Sequence, residues 1–444
     1  MKDKARFIVV KVLTEIEENK AFSNIKLNQY FKKYDLTALD RAFATEVLYG
    51  TVRWKLRIDY FIQSFLNRNI DTINLWALNC IRIAVYQIFF MDKIPDFAAV
   101  NQSVDVCKAK FPKLSGFVNG VLRNILRNKE SFNVINEGDP IKFMSIKYSH
   151  PEWLVRYFTK LFDQEFLEEL MMANNQPPKL TIRVNTLKIS KDNLREKLLN
   201  RGMKVYDGIL EECLILEDIG HLEKVPEFIE GLFFIQDQGS MLASKVLNPL
   251  PGQKVLDMCA APGGKTTHLA QLMKNEGEIV AFDIYKHKIN LILDNAKRLG
   301  INIIKPVLKD ATVYIEELND SFDKILLDAP CSGLGLLRKK PEIRWNIKEK
   351  DIFDLTKVQT VLLNNASKYV KVGGEIVYST CTITKEENED IIEHFLDENK
   401  NFELVNISNF IYDKLSIKSD YYLRLYPNLH DTDGFFICKL KRLW

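Results

Sequence analysis

With 444 residues, 46% hydrophobic and 27% charged, the chain is too long for one ordinary core and too apolar for disorder, so two or three globular domains are expected. The longest apolar stretch, Cys80 to Met91, is broken by Arg82 and falls short of the roughly 20 residues of a membrane span, which excludes a helical membrane protein. A net charge of +3 hides an asymmetry: residues 1–145 hold 22 Lys+Arg against 15 Asp+Glu, leaving 40 against 44 in the rest, and a basic front on a slightly acidic body suits a polyanionic partner.

Lys2, Lys4 and Arg6 precede a short apolar run broken by Lys11, with no small-residue cleavage site, so a cytoplasmic protein is expected. From Ala5 to about Arg127 apolar residues recur at helical spacing, as in Phe7, Val10, Leu13 and Ile16, which predicts an all-helical domain over 1–135. Asp40-Arg41-Ala42-Phe43 reads as a helix start with Asp40 as N-cap, and Gly50, Pro95, Pro112 and Gly116 read as turns or helix ends. Arg53, Lys55, Arg57, Arg123, Arg127 and Lys129 are expected near helix ends or exposed faces, where they can grip phosphates. Leu39-Asp40-Arg41, Tyr49-Gly50-Thr51-Val52-Arg53, Val100-Asn101-Gln102-Ser103-Val104 and above all Phe117-Val118-Asn119-Gly120-Val121-Leu122-Arg123 resemble the NusB family of helical RNA-binding domains. That resemblance implies RNA binding by the first third of the chain.

Residues 136–250 read as a linker followed by a small α+β module. Gly138 and Asp139-Pro140 break the periodicity, and Pro177-Pro178 ends a short helical region. Leu180 to Asn185 alternates as a strand, Ser190 to Arg201 as a helix stopped by Gly202, and Cys213 to Leu216 with Leu232 to Ile235 as further strands.

Residues 251–444 alternate apolar strands with helices in the manner of a doubly wound parallel sheet. Strands are expected at Lys254 to Met258, Glu278 to Phe282, Ile303 to Val307, Lys324 to Leu327 and Glu375 to Tyr378, with a late pair at Tyr422 to Leu425 and Phe435 to Leu440. Asp257, Asp283, Asp310 and Asp328 fall at or just past the ends of the first four, the edge where such sheets bind ligand.

The run Cys259-Ala260-Ala261-Pro262-Gly263-Gly264-Lys265-Thr266-Thr267 comes within one residue of a P-loop, which makes an ATPase a rival reading. Cys259 stands where the phosphate-cradling nest needs its first glycine, which counts against it. A nucleoside ligand without a triphosphate fits better: the Gly263-Gly264 turn admits close backbone approach at a helix start. Asp283, 26 residues after Asp257, can accept ribose hydroxyls, and Asp310 can accept from an adenine amino group. Seven cysteines without CxxC spacing and six scattered histidines support neither a disulfide framework nor a metal site, so thiols are free for chemistry. Cys80, Cys107, Cys213 and Cys438 sit in apolar or strand settings and read as core. Cys331, in Asp328-Ala329-Pro330-Cys331-Ser332-Gly333, and Cys381, in Ser379-Thr380-Cys381-Thr382, follow strands at the binding edge instead. Cytosine C5 attacks a methyl sulfonium only after a thiolate adds at C6, and an acid such as Asp328 is needed at N3 as charge develops there. The residues alone leave open which cysteine attacks.

Asp257 to Lys265, Asp283, Asp310, Asp328 to Gly333, Ser379-Thr380-Cys381 and Asp433-Gly434-Phe435-Phe436 together resemble the NOL1/NOP2/Sun family of RNA 5-methylcytosine methyltransferases. The resemblance implies a Rossmann-like methyltransferase domain using S-adenosylmethionine, bound by Cys259 to Lys265 with Asp283, Asp310 and Asp328. It assigns attack to Cys381 and product release to Cys331. With the NusB-like front it implies 16S ribosomal RNA as substrate, with no membrane association and no obligatory protein partner. Arg338-Lys339-Lys340, in a run that also matches relatives of this kind, is expected to meet RNA phosphate.

Overall fold

The computed structural model describes residues 3–19, 21–217, 222–410, 415 and 420–444. The chain packs as two units: one runs to Gln176 and takes in Leu337–Ile347, and the other holds Pro177–Leu336 and Lys348–Trp444.

The first unit is helical. Helices Lys4–Asn19, Ser23–Lys33, Ala38–Arg53, Lys55–Gln63, Leu75–Phe90, Asp96–Lys110 and Ser115–Arg127 are followed by Pro140–Tyr148, Glu152–Phe158 and Gln164–Asn174. Leu75–Phe90 is its axis, buried from Trp76 to Ile88, as a helix apolar on all sides must be. Arg82 on that helix stays satisfied through Asp59 at 2.6 and 2.7 Å, Glu17 at 2.7 Å and Asn79 at 2.8 Å.

Several sequence expectations are corrected here. Thr37, not Asp40, caps helix Ala38–Arg53; Asp40 sits at the third helical position and completes a capping box with Thr37. Gly50 is not a helix end but lies inside that helix, where a β-carbon would fall 1.9 Å from the Tyr86 ring. Arg53 and Arg57 are buried rather than exposed: Arg53 donates to the Arg338 carbonyl and Arg57 to the Phe132 carbonyl. Both are structural cations, which leaves Arg123 and Arg127 as the exposed arginines on helix Ser115–Arg127. The basic loop is likewise no open patch, since Arg338 is buried and Lys340 lies over the Phe22 ring. The segment Leu337–Ile347 is a strap lodged among the helices. Arg344, fully buried, donates to the Ser149 carbonyl and Asn175 Oδ1, both at 2.9 Å, and to the Asn174 carbonyl at 3.2 Å. Trp345 Nε1 donates to the Val52 carbonyl at 2.8 Å, and Glu342 accepts from the Ser23 amide at 3.1 Å.

The second unit holds two sheets. Strands β1 (Leu180–Val184), β2 (Lys204–Asp207), β3 (Cys213–Glu217) and β4 (Phe233–Ile235) form an antiparallel sheet in the order β2-β3-β1-β4, with helix Lys191–Asn200 against it. The larger sheet contains β5 (Lys254–Asp257), β6 (Glu278–Asp283), β7 (Ile304–Leu308), β8 (Phe322–Asp328), β9 (Val370–Thr380), β10 (Phe402–Leu404), β11 (Tyr422–Leu425) and β12 (Phe435–Arg442). Its parallel part runs β7-β6-β5-β8-β9, and antiparallel β12 follows β9 and carries β10 and β11. Alternate residues enter opposite cores. Val255, Leu326, Val377 and Ile437 meet helices Gln238–Leu247 and Gly264–Leu272, whereas Leu256, Ile325, Leu327, Ile376 and Phe436 meet Glu349–Tyr369 and Glu389–Glu398. Burial on both faces is why these strands read as continuous apolar runs.

Candidate active site

From β5 the chain winds outward through β6 to β7, and from β8 it winds the other way to β9, so strand order reverses between β5 and β8. The crevice beyond the carboxyl ends of such a pair is where open α/β sheets take ligand. Asp257 ends β5 and Asp328 ends β8.

Asp257 is fully buried; its Oδ2 accepts from Thr266 Oγ1 at 2.7 Å, and its Oδ1 has no protein partner. Burial pushes its pKa up to about 7, with Asp328 adding to the rise. The loop Cys259 to Gly263 leads into helix Gly264–Leu272, with Gly263 as its left-handed N-cap at φ 97°. A side chain resists that conformation, which is the physical demand behind Gly263; at Gly264 a β-carbon would instead fall 3.2 Å from the Phe234 ring. Ala260 is buried, Cys259 packs partly buried with its thiol pushed up by burial, and the Pro262 carbonyl accepts from Asn295 at 2.9 Å. Asp283 ends β6 with Oδ1 accepting from the Tyr285 amide at 3.0 Å. Asp310 lies two residues past β7, and its Oδ1 caps a turn through the Thr312 amide and hydroxyl, which hold its pKa down.

The structure gathers Asp328, Lys265, Cys331 and Cys381. Lys265 Nζ reaches Asp328 Oδ2 at 2.6 Å, and Ser379 Oγ donates to Asp328 Oδ1 at 2.9 Å. Pairing of β8 with β9 sets Asp328 opposite Ser379, so the loops after the two strands emerge side by side. Their sulfurs, Cys331 Sγ and Cys381 Sγ, are 3.2 Å apart, on residues that are each partly exposed. The Cys331 thiol is pushed well above its ordinary range, by its hydrogen bond to Cys381 first and by burial second. Gly335 ties the loops again, its amide donating to the Cys381 carbonyl at 3.0 Å. Among the described residues, no group of three or more His, Cys, Asp or Glu is placed to hold a metal ion.

Sequence reasoning missed the residues that hold this arrangement. Glu387, fully buried, accepts from the Ser332 amide at 2.8 Å, Ser332 Oγ at 2.6 Å, Thr384 Oγ1 at 2.7 Å and Gln359 Nε2 at 3.1 Å. Gln359 also donates to the Pro330 carbonyl at 2.9 Å. Asn388 brackets Cys381, accepting from Thr380 Oγ1 at 2.6 Å and donating to the Thr382 carbonyl at 3.2 Å. Their only sequence signal is an acidic stretch before a helix, the usual composition of a first helical turn. Arg183 on β1 was missed too: fully buried, it donates to the Gly264 carbonyl at 2.7 Å and Thr267 Oγ1 at 2.9 Å, fixing the helix start after the glycine pair.

A reversing parallel sheet with an added antiparallel strand, a glycine turn after its first strand and acidic residues at successive strand ends define a Rossmann-like methyltransferase domain. Comparison with known proteins agrees. A family model described as 16S rRNA methyltransferase RsmB/F matches residues 244–441, a NusB family model matches 3–127, and a ferredoxin-like domain model of RsmF/B-like methyltransferases matches 150–223. The chain is 37% identical to the probable ribosomal RNA small subunit methyltransferase B of Bacillus subtilis, covering 99% of each chain. The crystal structure of PH0851 superposes with a TM-score of 0.85 at 31% identity, covering 100% of this chain and 99% of that one. The structure of NSun6 from Pyrococcus horikoshii with SFG gives 0.60 at 29% identity, covering 66% of this chain and 98% of that one. The chain belongs to the RsmB/F family of 16S ribosomal RNA methyltransferases.

Proposed function

We propose that the protein methylates C5 of a cytosine in 16S ribosomal RNA through a covalent bond between Cys381 and C6 of the base. The observation that carries this reading is the pair of sulfurs 3.2 Å apart beside the Lys265–Asp328 ion pair. Two adjoining thiols at the carboxyl edge of a sheet, next to a carboxylate and an ammonium, are the equipment for nucleophilic addition to an electron-poor ring.

Cys381 adds as a thiolate to C6, and the ring's electrons move to N3, which takes a proton shared within the Lys265–Asp328 pair. C5, now enamine-like, takes the methyl group. The C5 proton then passes to water, the electrons of that C–H bond re-form the C5–C6 double bond, and the Cys381–C6 bond breaks with its electron pair on sulfur, a departure that the Cys331 S–H assists by hydrogen bonding. The target base has to leave any duplex stack for sulfur to reach its face.

S-adenosylmethionine supplies the electrophilic methyl. The residues present fit it: Asp257 Oδ1 is a buried acceptor without a protein partner, and Gly263 opens the adjoining helix N-terminus. The loop Cys259 to Lys265 would hold it, with Asp283 for ribose hydroxyls and Asp310 for the adenine amino group. In this reading residues 1–135 bind RNA and residues 251–444 carry the chemistry; of the stretch between, helices Pro140–Tyr148, Glu152–Phe158 and Gln164–Asn174 belong to the helical unit, and β1 to β4 form the small α+β module. Exposed Arg123 and Arg127 support the RNA-binding role of the helical part.

Bisulfite sequencing of total RNA from cells with and without the gene tests the reaction and locates its product. One 16S cytosine should lose its protection in the deletion strain; an unchanged 16S pattern would sink the proposal.

A further inference from the structure

The paired cysteines carry the same functional group on neighbouring loops, so their different roles have to come from their surroundings. Those surroundings are lopsided. Glu387 places two of its four hydrogen bonds on Ser332, the residue after Cys331, at 2.8 and 2.6 Å. A third goes to Gln359, which also grips the Pro330 carbonyl on the other side of Cys331. Toward the second loop the Glu387 carboxylate reaches Thr384, three residues past Cys381, at 2.7 Å, while its main-chain carbonyl accepts from the Tyr378 hydroxyl at 2.7 Å. Cys381 is instead bracketed by the neutral amide of Asn388. One bridge joins the loops directly, Ser332 Oγ to Thr382 Oγ1 at 2.8 Å.

We propose that Glu387 is a positioning residue for the two thiols: its buried carboxylate holds the Cys331 loop so that Cys331 serves as the S–H donor and Cys381 is left as the attacking sulfur. This rests on the covalent reading above and deepens it. Four donors fill the acceptor capacity of a carboxylate, so the group is fully satisfied where it sits. A negative charge beside a thiol disfavours its ionisation. That agrees with the upward displacement of the Cys331 thiol, to which Glu387 contributes after the Cys381 hydrogen bond and burial. Asn388 provides the same kind of backbone grip at Cys381 without charge. The asymmetry therefore lies in charge and not in rigidity.

The test is Glu387→Gln in the full-length protein, with site-resolved alkylation by iodoacetamide across a pH series, followed by mass spectrometry and without RNA or methyl donor. Wild-type protein should be alkylated first at Cys381. In the variant the Cys331 share should rise at least about five-fold, and its half-alkylation point should fall by roughly one pH unit. With RNA and methyl donor, kcat should fall roughly ten-fold or more while the RNA KM stays within about two-fold. Glu387→Asp, which keeps the charge but withdraws it by one methylene, should move both readouts the same way by less, and it decides the matter if the glutamine variant does not fold. A fallen kcat with an unchanged alkylation ratio would show a merely structural residue and overturn the proposal. If the ratio shifts as expected but the wild type methylates no cytosine, the positioning role stands and the cytosine reading falls.

Discussion

Lys265 Nζ lies 2.6 Å from Asp328 Oδ2 across 63 residues of sequence, joining the first turn of helix Gly264–Leu272 to the end of β8. Sequence alone groups Lys265 with the cofactor loop, but its ammonium sits on Asp328, the residue proposed above to act at the base. Asp328→Asn should therefore lower kcat by about a hundred- to a thousand-fold, the usual loss for one preorganised electrostatic contact. Lys265→Met should act in the same direction, and the double variant should cost less than the product of the two. Methyl-transfer rates on 16S transcripts measure all three; full additivity would show that the pair does not act as a unit.

The two cysteines should fail differently. Cys381→Ala should abolish methylation and leave no adduct. Cys331→Ala should stop turnover after attack, so protein–RNA adduct accumulates and survives denaturing gel electrophoresis. The reverse pattern would exchange their roles.

Gly335 has no room for a side chain. A β-carbon there would fall 2.1 Å from the Gly434 carbonyl oxygen and 2.8 Å from that of Cys381, both backbone atoms. Gly335→Ala must displace the Gly434 backbone or move the residue 335 loop away from it, and with it the Gly335–Cys381 hydrogen bond; misplacement of about 1 Å costs on the order of a hundred-fold in rate. Activity should fall by at least that much, whereas methyl-donor binding by calorimetry should persist because β5, β6 and the glycine turn are untouched.

Arg344→Met should destabilise the helical unit without touching the chemistry. Burial lowers the guanidinium pKa to about 9, so the group is still charged at neutral pH. Its loss strands the Ser149 and Asn174 carbonyls and Asn175 Oδ1 in a dry site. At roughly 1–3 kcal/mol for each stranded group, a loss of about 3 kcal/mol or more is expected, read as an earlier urea transition of helical circular dichroism.

Acid should weaken the catalytic unit through His268. It is fully buried, with Nε2 3.0 Å from Glu212 Oε1, and burial pushes its pKa from 6.5 down to about 4. A depressed pKa gives stability that is present above pH 6.5 and lost as pH falls through about 4, on the order of 3 kcal/mol. Asp257, raised to about 7, works oppositely: its contribution is present below 3.8 and lost as pH rises through 7. The informative quantity is thus the difference between wild type and His268→Gln, whose urea midpoint should fall less steeply between pH 6.5 and 4.

The parallel sheet was legible because strands buried on both faces leave unbroken apolar runs, as in Ile325-Leu326-Leu327. The strands β2 and β10 were not legible: β2 is largely exposed and β10 spans three residues, so neither leaves a usable pattern. Motif residues at strand ends announced Asp328, Cys331 and Cys381, because their chemistry is odd for a loop. Glu387 and Arg344 stayed hidden for the opposite reason. Charged side chains in polar stretches read as solvated surface, and only tertiary packing shows that each is buried against its own set of partners.

The strap Leu337–Ile347 also sets a timetable for synthesis. The helices that receive Arg344 and Trp345 are complete by Gln176, and about 160 further residues must be made before the strap begins. At roughly 5–20 residues per second, the nascent helical unit waits about ten to thirty seconds with its Arg344 and Trp345 acceptors unmet. During that interval the ribosome produces β1 to β8 and the first cysteine loop. The helical unit that begins the chain is therefore not the first part of the molecule to be finished.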